Sequence, residues 1–284
     1  MDKILLMKKI LFSLIILLAI IIIIIGVANV KVKHDIKKDI KNLETNSLNE
    51  NTKIISLDDI NNLPIPVKKW LISIGLINKK RMDFVSFSQK GKMKLTKDQE
   101  SWYLPEAKQY VRIDEPSFLW VVDIKMMPFL NVKGIDSFKN GKGSMKMLLS
   151  SLIPVVNEKN NYKIDESSLS RFLLELPWYP SAALEDYIVW EALSDYSAKA
   201  IISFNGLNSE VIFYFDENYD LIKMEGLRYK ESDENSKRIT CIGVVKGHII
   251  VDGIKVPNKI NVSWQENDDI FTWYKIENFN YNLY

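Results

Sequence analysis

The hydrophobic pattern of this chain begins with one long apolar run near the N-terminus. Residues 10–28 contain no charged side chain, and only Ser13 among them is clearly polar. A hydrocarbon layer about 30 Å thick is crossed by about 20 apolar residues of helix, whose backbone hydrogen bonds are all internal. The pattern therefore predicts a transmembrane helix over residues 10–29, preceded by a cytoplasmic segment, residues 1–9.

The flanks of this run are compatible with a signal anchor and with a cleaved signal peptide. Lys3, Lys8 and Lys9 precede the run, and Gly26–Ala28 offers the small residues that a signal peptidase reads. The run exceeds the usual signal-peptide length of about 7–15 apolar residues, which favours an uncleaved anchor. Cleavage after Ala28 and a buried helix of a soluble protein are the alternatives.

The orientation of this predicted single-pass protein does not follow from charge counting. Lysines lie on both sides of the run, so the positive-inside rule does not decide. We expect the N-terminus in the cytoplasm and the large C-terminal domain outside it, at the cell membrane. Residues 30–55 are polar and predict a linker, in part helical, that holds a domain over residues 56–284 away from the bilayer.

Two amphipathic helices are predicted within the domain. The first begins near Pro64 and ends at Gly75. The second lies between Asp165 or Ser167, as its N-terminal cap, and Pro177, which ends it. Their apolar positions recur at helical spacing and are Val67, Trp70, Leu71 and Ile74 in the first, and Leu169, Phe172, Leu173 and Leu176 in the second.

Most of the remaining pattern alternates with period two, which is typical of strands. Residues 83–95 alternate about Lys90–Gly91 and predict a hairpin, and residues 118–125 predict a strand. Residues 132–148 predict two strands joined at Asn140–Gly141. Seven further strands are predicted after Tyr187, as a meander that closes or curls around something. The predicted fold class is α+β, mainly antiparallel β, since two helical segments are too few for a parallel α/β sheet.

Composition and candidate chemistry exclude several kinds of function. The formal charge of +2, from 38 basic and 36 acidic residues, gives no reason to expect a nucleic acid partner. Cys241 is the single cysteine and cannot form an intrachain disulfide, while His34 and His248 belong to different segments. Asp216–Asp220 lacks the later ligands of a calcium loop and is predicted to be a hairpin turn. We expect no metal, no cofactor and no enzymatic activity, with a carboxylate-based hydrolase left open.

Several segments, in order along the chain, carry a resemblance to a known family. They are LPIPVKKWL, FSQKGKMK, FLWVVDIKMMP, GKGSMKMLLSSLIPVV, LSRFLLELPWYPSAAL, GLRY and DGIKVPNKINVSW. From about Leu63 to the C-terminus the chain resembles a bacterial membrane-associated family known as domain of unknown function 6544, formerly 6920. Its most specific motif is Arg171-x-x-x-Glu175-x-x-Trp178-x-Pro180.

The resemblance implies an architecture but no activity. It implies a fold similar to that of lipoprotein localisation factors, in which a strongly curved, half-barrel-like sheet is closed by two or three helices. Half-barrels of this kind hold acyl chains in an apolar cavity, although the fold does not guarantee that role. Membrane, lipid and lipoprotein acyl chains are therefore the expected partners.

Six residues are candidates for ligand binding. Arg171 and Glu175 lie four residues apart on one helix face, and Trp178 follows in the next turn, so they could form the mouth of a cavity. An ion pair that docks the helix on the sheet is the alternative. Trp120, Trp190 and Trp264 lie in predicted strands, where they line a pocket or fill it.

The sequence leaves two functions open. The first is a membrane-anchored extracytoplasmic module that binds a lipid, an acyl chain or a lipidated partner. The second is an envelope scaffold or interaction protein with a filled core and a binding surface on its outer face or on a sheet edge. A continuous apolar cavity would favour the first, and a solid core the second.

Overall fold

The computed structural model describes residues 2–46, 53–127 and 130–283. Its α-helices are α1 Asp2–Asn46, α2 Ile65–Ser73 and α3 Tyr162–Leu174, and its short 3₁₀ helices are Asp58–Ile60, Leu176–Trp178 and Pro180–Leu184. Its strands are β1 Phe84–Met93, β2 Pro105–Arg112, β3 Ser117–Met127, β4 Leu130–Lys139, β5 Lys142–Leu149, β6 Ile153–Lys159, β7 Ile188–Ser194, β8 Ser197–Phe204, β9 Leu207–Phe215, β10 Leu221–Tyr229, β11 Arg238–Val251, β12 Ile254–Glu266 and β13 Asp269–Leu283.

All thirteen strands belong to one antiparallel sheet. The spatial order is β6-β5-β4-β3-β2-β1-β13-β12-β11-β10-β9-β8-β7. The chain runs from β1 out to the edge strand β6, crosses to the other edge through α3, and returns from β7 to β13, which pairs with β1. The sheet curls into a half-barrel around its inner face, where α2 and α3 pack. The predicted fold class and the seven predicted strands after Tyr187 are confirmed.

The predicted hairpin at residues 83–95 is wrong. These residues form the single strand β1, and the register between β1 and β13 shifts by one residue between Lys90 and Gly91. A side chain at Gly91 would place its Cβ 1.9 Å from the carbonyl oxygen of Lys275. The glycine therefore permits a close backbone approach at a bulge, where the sequence pattern indicated a turn.

Other local predictions are confirmed or refined by the structure. Asn140 and Gly141 adopt positive φ angles of 52° and 75° between β4 and β5, as a two-residue turn requires. Helix α3 begins earlier than predicted, because the side chain of Asn161 caps it by accepting a hydrogen bond from the Lys163 amide. Strands β2 and β6 were not predicted.

Helix α1 continues well beyond the predicted membrane span. It runs unbroken to Asn46, and residues 47–52 of the predicted linker lie outside the described residues. In its polar part, Ile36, Ile40 and Leu43 pack against Phe84 and Leu119 on the outer face of the sheet. Instead of a free spacer, residues 30–46 thus form a helix docked on the domain, because an apolar stripe at helical spacing lies within the polar sequence.

Candidate functional site

Helix α3 crosses the inner face of the sheet and roofs the space beneath it. The carboxylate of Asp165 accepts hydrogen bonds from the Gly143 amide at 2.7 Å and from Lys142 Nζ at 2.8 Å, which ties α3 to β5. A Cβ at Gly143 would lie 2.5 Å from Ser168 Oγ and 2.6 Å from the Ile164 carbonyl oxygen. The close approach of helix and strand at this glycine therefore sets the position of the roof.

A cavity of about 430 Å³ lies between α3 and the sheet. Alternate residues of the strands point into it, because side chains of one parity share one face of a sheet. The inward side chains of β3 form one apolar wall, which includes Phe118, Trp120, Val122 and Ile124. The half-buried Met145, Met147 and Val156 continue this wall on β5 and β6, and the exposed Leu95, Lys230 and Glu231 lie at its rim.

One buried charge cluster lies in the cavity wall. The guanidinium of Arg171 is 2.8 Å from a carboxylate oxygen of Asp136 and 2.8 Å from one of Glu175. The same guanidinium lies over the rings of Phe118 and Trp120, with its central carbon 5.0 and 4.8 Å from their centroids. The cation is thus held by two carboxylates and two aromatic faces, a geometry that strongly orients it.

The carboxylates of this cluster do not share the same environment. Burial raises the pKa of Asp136, because the loss of hydration outweighs the attraction of Arg171. Glu175 also accepts a hydrogen bond from Gln109 Nε2.

A second arginine, Arg228 on β10, lines the same cavity. Its Nε donates a hydrogen bond to Ser167 Oγ at 3.1 Å, and its guanidinium lies over Trp264 at 5.3 Å from the ring centroid. Burial lowers the pKa of Arg228 by removing water from its charge. The cavity is therefore apolar along β3 and polar at two arginines.

The structure brings five of the six predicted site residues to this cavity. Arg171 and Glu175 lie in its wall with Trp120, Trp178 and Trp264. Trp178 is also part of the core, since its Nε1 donates to the Pro257 carbonyl at 2.9 Å and its ring stacks on Phe279.

Trp190 lies elsewhere. Its ring packs against Trp70 and Phe213, and its Nε1 donates to the Ala183 carbonyl at 3.1 Å. It is not among the residues that line the cavity. Trp190 therefore fills the core between α2 and the sheet, which is the structural alternative considered for it.

Sequence reasoning missed Asp136 and Arg228. Both side chains point inward from strands whose other inward-facing residues are apolar or small. On β4 Asp136 shares the inward face with Phe138, and on β10 Arg228 shares it with Met224 and Gly226. A charged residue on the buried parity of a strand is itself a signal, because such a charge needs a partner inside the fold.

Other candidate chemistry has structural explanations. The Asp216–Asp220 segment is the predicted hairpin turn, in which Asp216 Oδ1 accepts hydrogen bonds from the amides of Asn218 and Asp220. Cys241 lies in the cavity wall, where burial raises the pKa of its thiol. Among residues 2–46, 53–127 and 130–283, no group of three or more His, Cys, Asp or Glu side chains is arranged to hold a metal ion.

Comparison with known proteins identifies the family of this chain. The fold is similar to that of a LolA superfamily protein from Nitrosomonas europaea, whose crystal structure aligns with 76% of this chain and 91% of its own length at 10% identity and a TM-score of 0.40. No curated protein matches this sequence. The model of a family of unknown function, DUF6920, matches residues 61–281, which confirms the resemblance seen in the sequence motifs. This chain therefore belongs to the DUF6920 family of unknown function.

Proposed function

We propose that this protein is a membrane-anchored module that binds the acyl chain of a lipid or of a lipidated partner beneath α3. The observation that carries this proposal is the apolar cavity. Its volume of about 430 Å³ is within the range of small-molecule sites, about 300–1,000 Å³. Transfer of an acyl chain from water into such a cavity is favourable in proportion to the apolar area removed from water.

Membrane anchoring is supported by the N-terminal part of α1. This helix is long and apolar enough to cross a bilayer, and its apolar segment is not buried in the protein. Leucine and isoleucine side chains all round the helix between residues 10 and 24 are exposed. Apolar surface of this extent is stable only when lipid or another protein covers it. We place the large domain on the extracytoplasmic side.

The contact between α1 and the sheet supports a position of the cavity close to the bilayer. Ser151 Oγ donates a hydrogen bond to Asn29 Oδ1 at 3.4 Å, and Asn29 directly follows the apolar run. Ser151 belongs to the turn between β5 and β6, two strands whose residues line the cavity. A ligand chain in the bilayer would therefore have a short path to the cavity.

The rival functions have less support. A scaffold with a filled core does not need the cavity or the buried arginines within it. A hydrolase would need a free pair of carboxylates, whereas Asp136 and Glu175 both bind Arg171.

A photolabelling experiment tests the proposal on the full chain in lipid nanodiscs. Palmitic acid with a diazirine near its methyl end is added, irradiated and mapped by peptide mass spectrometry. We expect labels on β3, β5 and α3, and a several-fold loss of these labels in Met147→Trp, because the indole fills the cavity. Lys146→Trp, exposed on the other face of β5, is the matched control. Labels confined to α1, or equal labelling of both folded variants, would overturn the proposal.

A further inference from the structure

The two arginines of the cavity differ in how their charges are compensated. Arg171 is held by Asp136 and Glu175, each at 2.8 Å. Among the described residues, no carboxylate lies within ion-pair distance of Arg228. Its guanidinium instead contacts the Ser167 hydroxyl and the Cys241 thiol. Asp136 and Glu175 attract Arg228 only at longer range, since both carboxylates bind Arg171 directly.

The surroundings of Arg228 hold its guanidinium in place beside the cavity. The side chain is half-buried and lines the cavity, so it is in reach of a ligand there. Trp264 covers one face of the guanidinium. The guanidinium is hydrogen-bonded at Nε and covered on one face. Its remaining N–H donors therefore have a fixed geometry, which suits a planar or tetrahedral anion.

The position of Arg228 along β10 matches the place of a headgroup. Only Tyr229 separates it from Lys230, which is exposed at the rim, and two residues of strand span about 7 Å. The apolar wall formed by Phe118 to Ile124 lies on β3. In the strand order of the sheet, β3 and β10 lie on opposite sides of the central pair β1 and β13. A ligand with its charged end at Arg228 and its chain along β3 would satisfy both parts of the cavity.

We propose that Arg228 binds the anionic headgroup, a carboxylate or a phosphate monoester, of a single-chain acyl ligand whose tail occupies the apolar part of the cavity. This inference rests on the proposed function and names its ligand class. Neutral amphiphiles with the same chain lack an anionic group that could bind the guanidinium directly.

Matched ligand pairs test the proposal on the full chain in nanodiscs at pH 8. The first pair is palmitic acid and hexadecanol, and the second is lysophosphatidic acid and monopalmitoylglycerol, each competing against the diazirine probe. We expect the wild-type protein to bind at least one anionic member about tenfold more tightly than its neutral partner, as a charge-assisted hydrogen-bond pair provides. The pair with the larger ratio distinguishes a carboxylate from a phosphate.

Single-residue variants test whether Arg228 causes the preference for the anionic ligand. Arg228→Gln is expected to abolish the preference for the anion while the neutral ligand binds as before, and Arg228→Lys to keep part of it. Lys223→Gln removes a charge from the outer face of the same strand, where Lys223 pairs with Glu225, and should behave as wild type. Equal affinity for acid and neutral ligand in the wild type would overturn this inference alone. Absence of binding by all four ligands would instead contradict the proposed function.

Discussion

At the residue scale, the feature that distinguishes the cavity is the set of charged side chains in its wall, beneath the curved sheet. Asp136 shares the inward face of β4 with glycine and apolar residues, and its carboxylate binds Arg171. The ion pair of Asp136 and Arg171 is stable inside the fold only because hydrogen bonds and aromatic faces compensate for the lost hydration of the two charges. Burial nevertheless leaves the ionised form of Asp136 less favoured than in water, which has a consequence for stability.

Asp136→Asn tests this consequence. Because the pKa of Asp136 is raised in the folded state, the folded protein binds a proton more readily than the unfolded chain. The contribution of this group to the free energy of unfolding is therefore fully present at low pH. It is lost as the pH rises from the ordinary value of 3.8 through the raised pKa. We expect the Asn variant to lack this pH dependence, which amounts to about 1.4 kcal/mol of unfolding free energy for each tenfold difference in proton affinity between the folded and unfolded states.

Urea unfolding of the full chain in mild detergent at a series of pH values measures this difference. Asp123→Asn is the matched control, since its half-exposed carboxylate binds Lys133 on the outer face. A wild-type protein whose stability relative to Asp136→Asn rises with pH over the same range would contradict the assigned direction.

At the element scale, α1 connects the predicted membrane span to the sheet as one unbroken helix. Ile36, Ile40 and Leu43 recur at spacings of four and three residues, so they form one stripe along the helix. Leu43 is 4% exposed, although its neighbours in sequence are polar. The docking of this stripe on the outer face leaves the inner face free for the cavity and sets the distance of the domain from the end of the apolar run.

Leu43→Ala is expected to loosen this docking. Removing a buried leucine side chain costs about 2–5 kcal/mol where the surrounding structure does not collapse. Because the contact is local, we expect the loss to appear as faster amide exchange over residues 30–46, with the sheet unchanged. Hydrogen–deuterium exchange by mass spectrometry gives the readout. Lys37→Ala, at an exposed position of the same helix, should exchange as wild type, and unchanged exchange in Leu43→Ala would refute the docking.

At the scale of the whole molecule, several exposed apolar side chains lie at the end of β3, in the turn after β5 and at the start of β6. We call this set the strand-end patch; it comprises Met127, Leu152, Ile153 and Val155, which are 61%, 42%, 56% and 54% exposed. The Ser150 amide, in the turn after β5, donates a hydrogen bond of 2.8 Å to the carbonyl of Asn131, near the start of β4. Because Ser151, in the same turn as Leu152, contacts Asn29, we expect the patch near the end of the apolar run, at the level of the bilayer surface.

We therefore predict that the strand-end patch dips into the bilayer. Leu152→Cys and Met127→Cys, each labelled with an environment-sensitive fluorophore in nanodiscs, should show blue-shifted emission and quenching by brominated lipid. Asn218→Cys, in the exposed turn between β9 and β10, is the control and should report water. Cys241 is buried and does not compete for the label. Water-like emission from the patch would place the cavity away from the membrane.

The sequence by itself determined the features that local patterns encode. The apolar run, the stripe of α2 and the alternation of β7 to β13 depend on the period of a helix or strand, which a short window contains. The motif of Arg171, Glu175 and Trp178 identified the family, and with it the class of fold.

The tertiary structure decided what depends on distant segments meeting. Gly91 serves a bulge because of Lys275 on a strand far away in sequence, and Asp136 binds Arg171 only because α3 crosses the curled sheet. The alternation of apolar and polar residues along a strand indicates which side chains share a face. It does not indicate whether opposite walls of the half-barrel touch. Trp190 therefore fills the core while Trp120 lines a cavity, because the curvature of all thirteen strands together sets the space left between them.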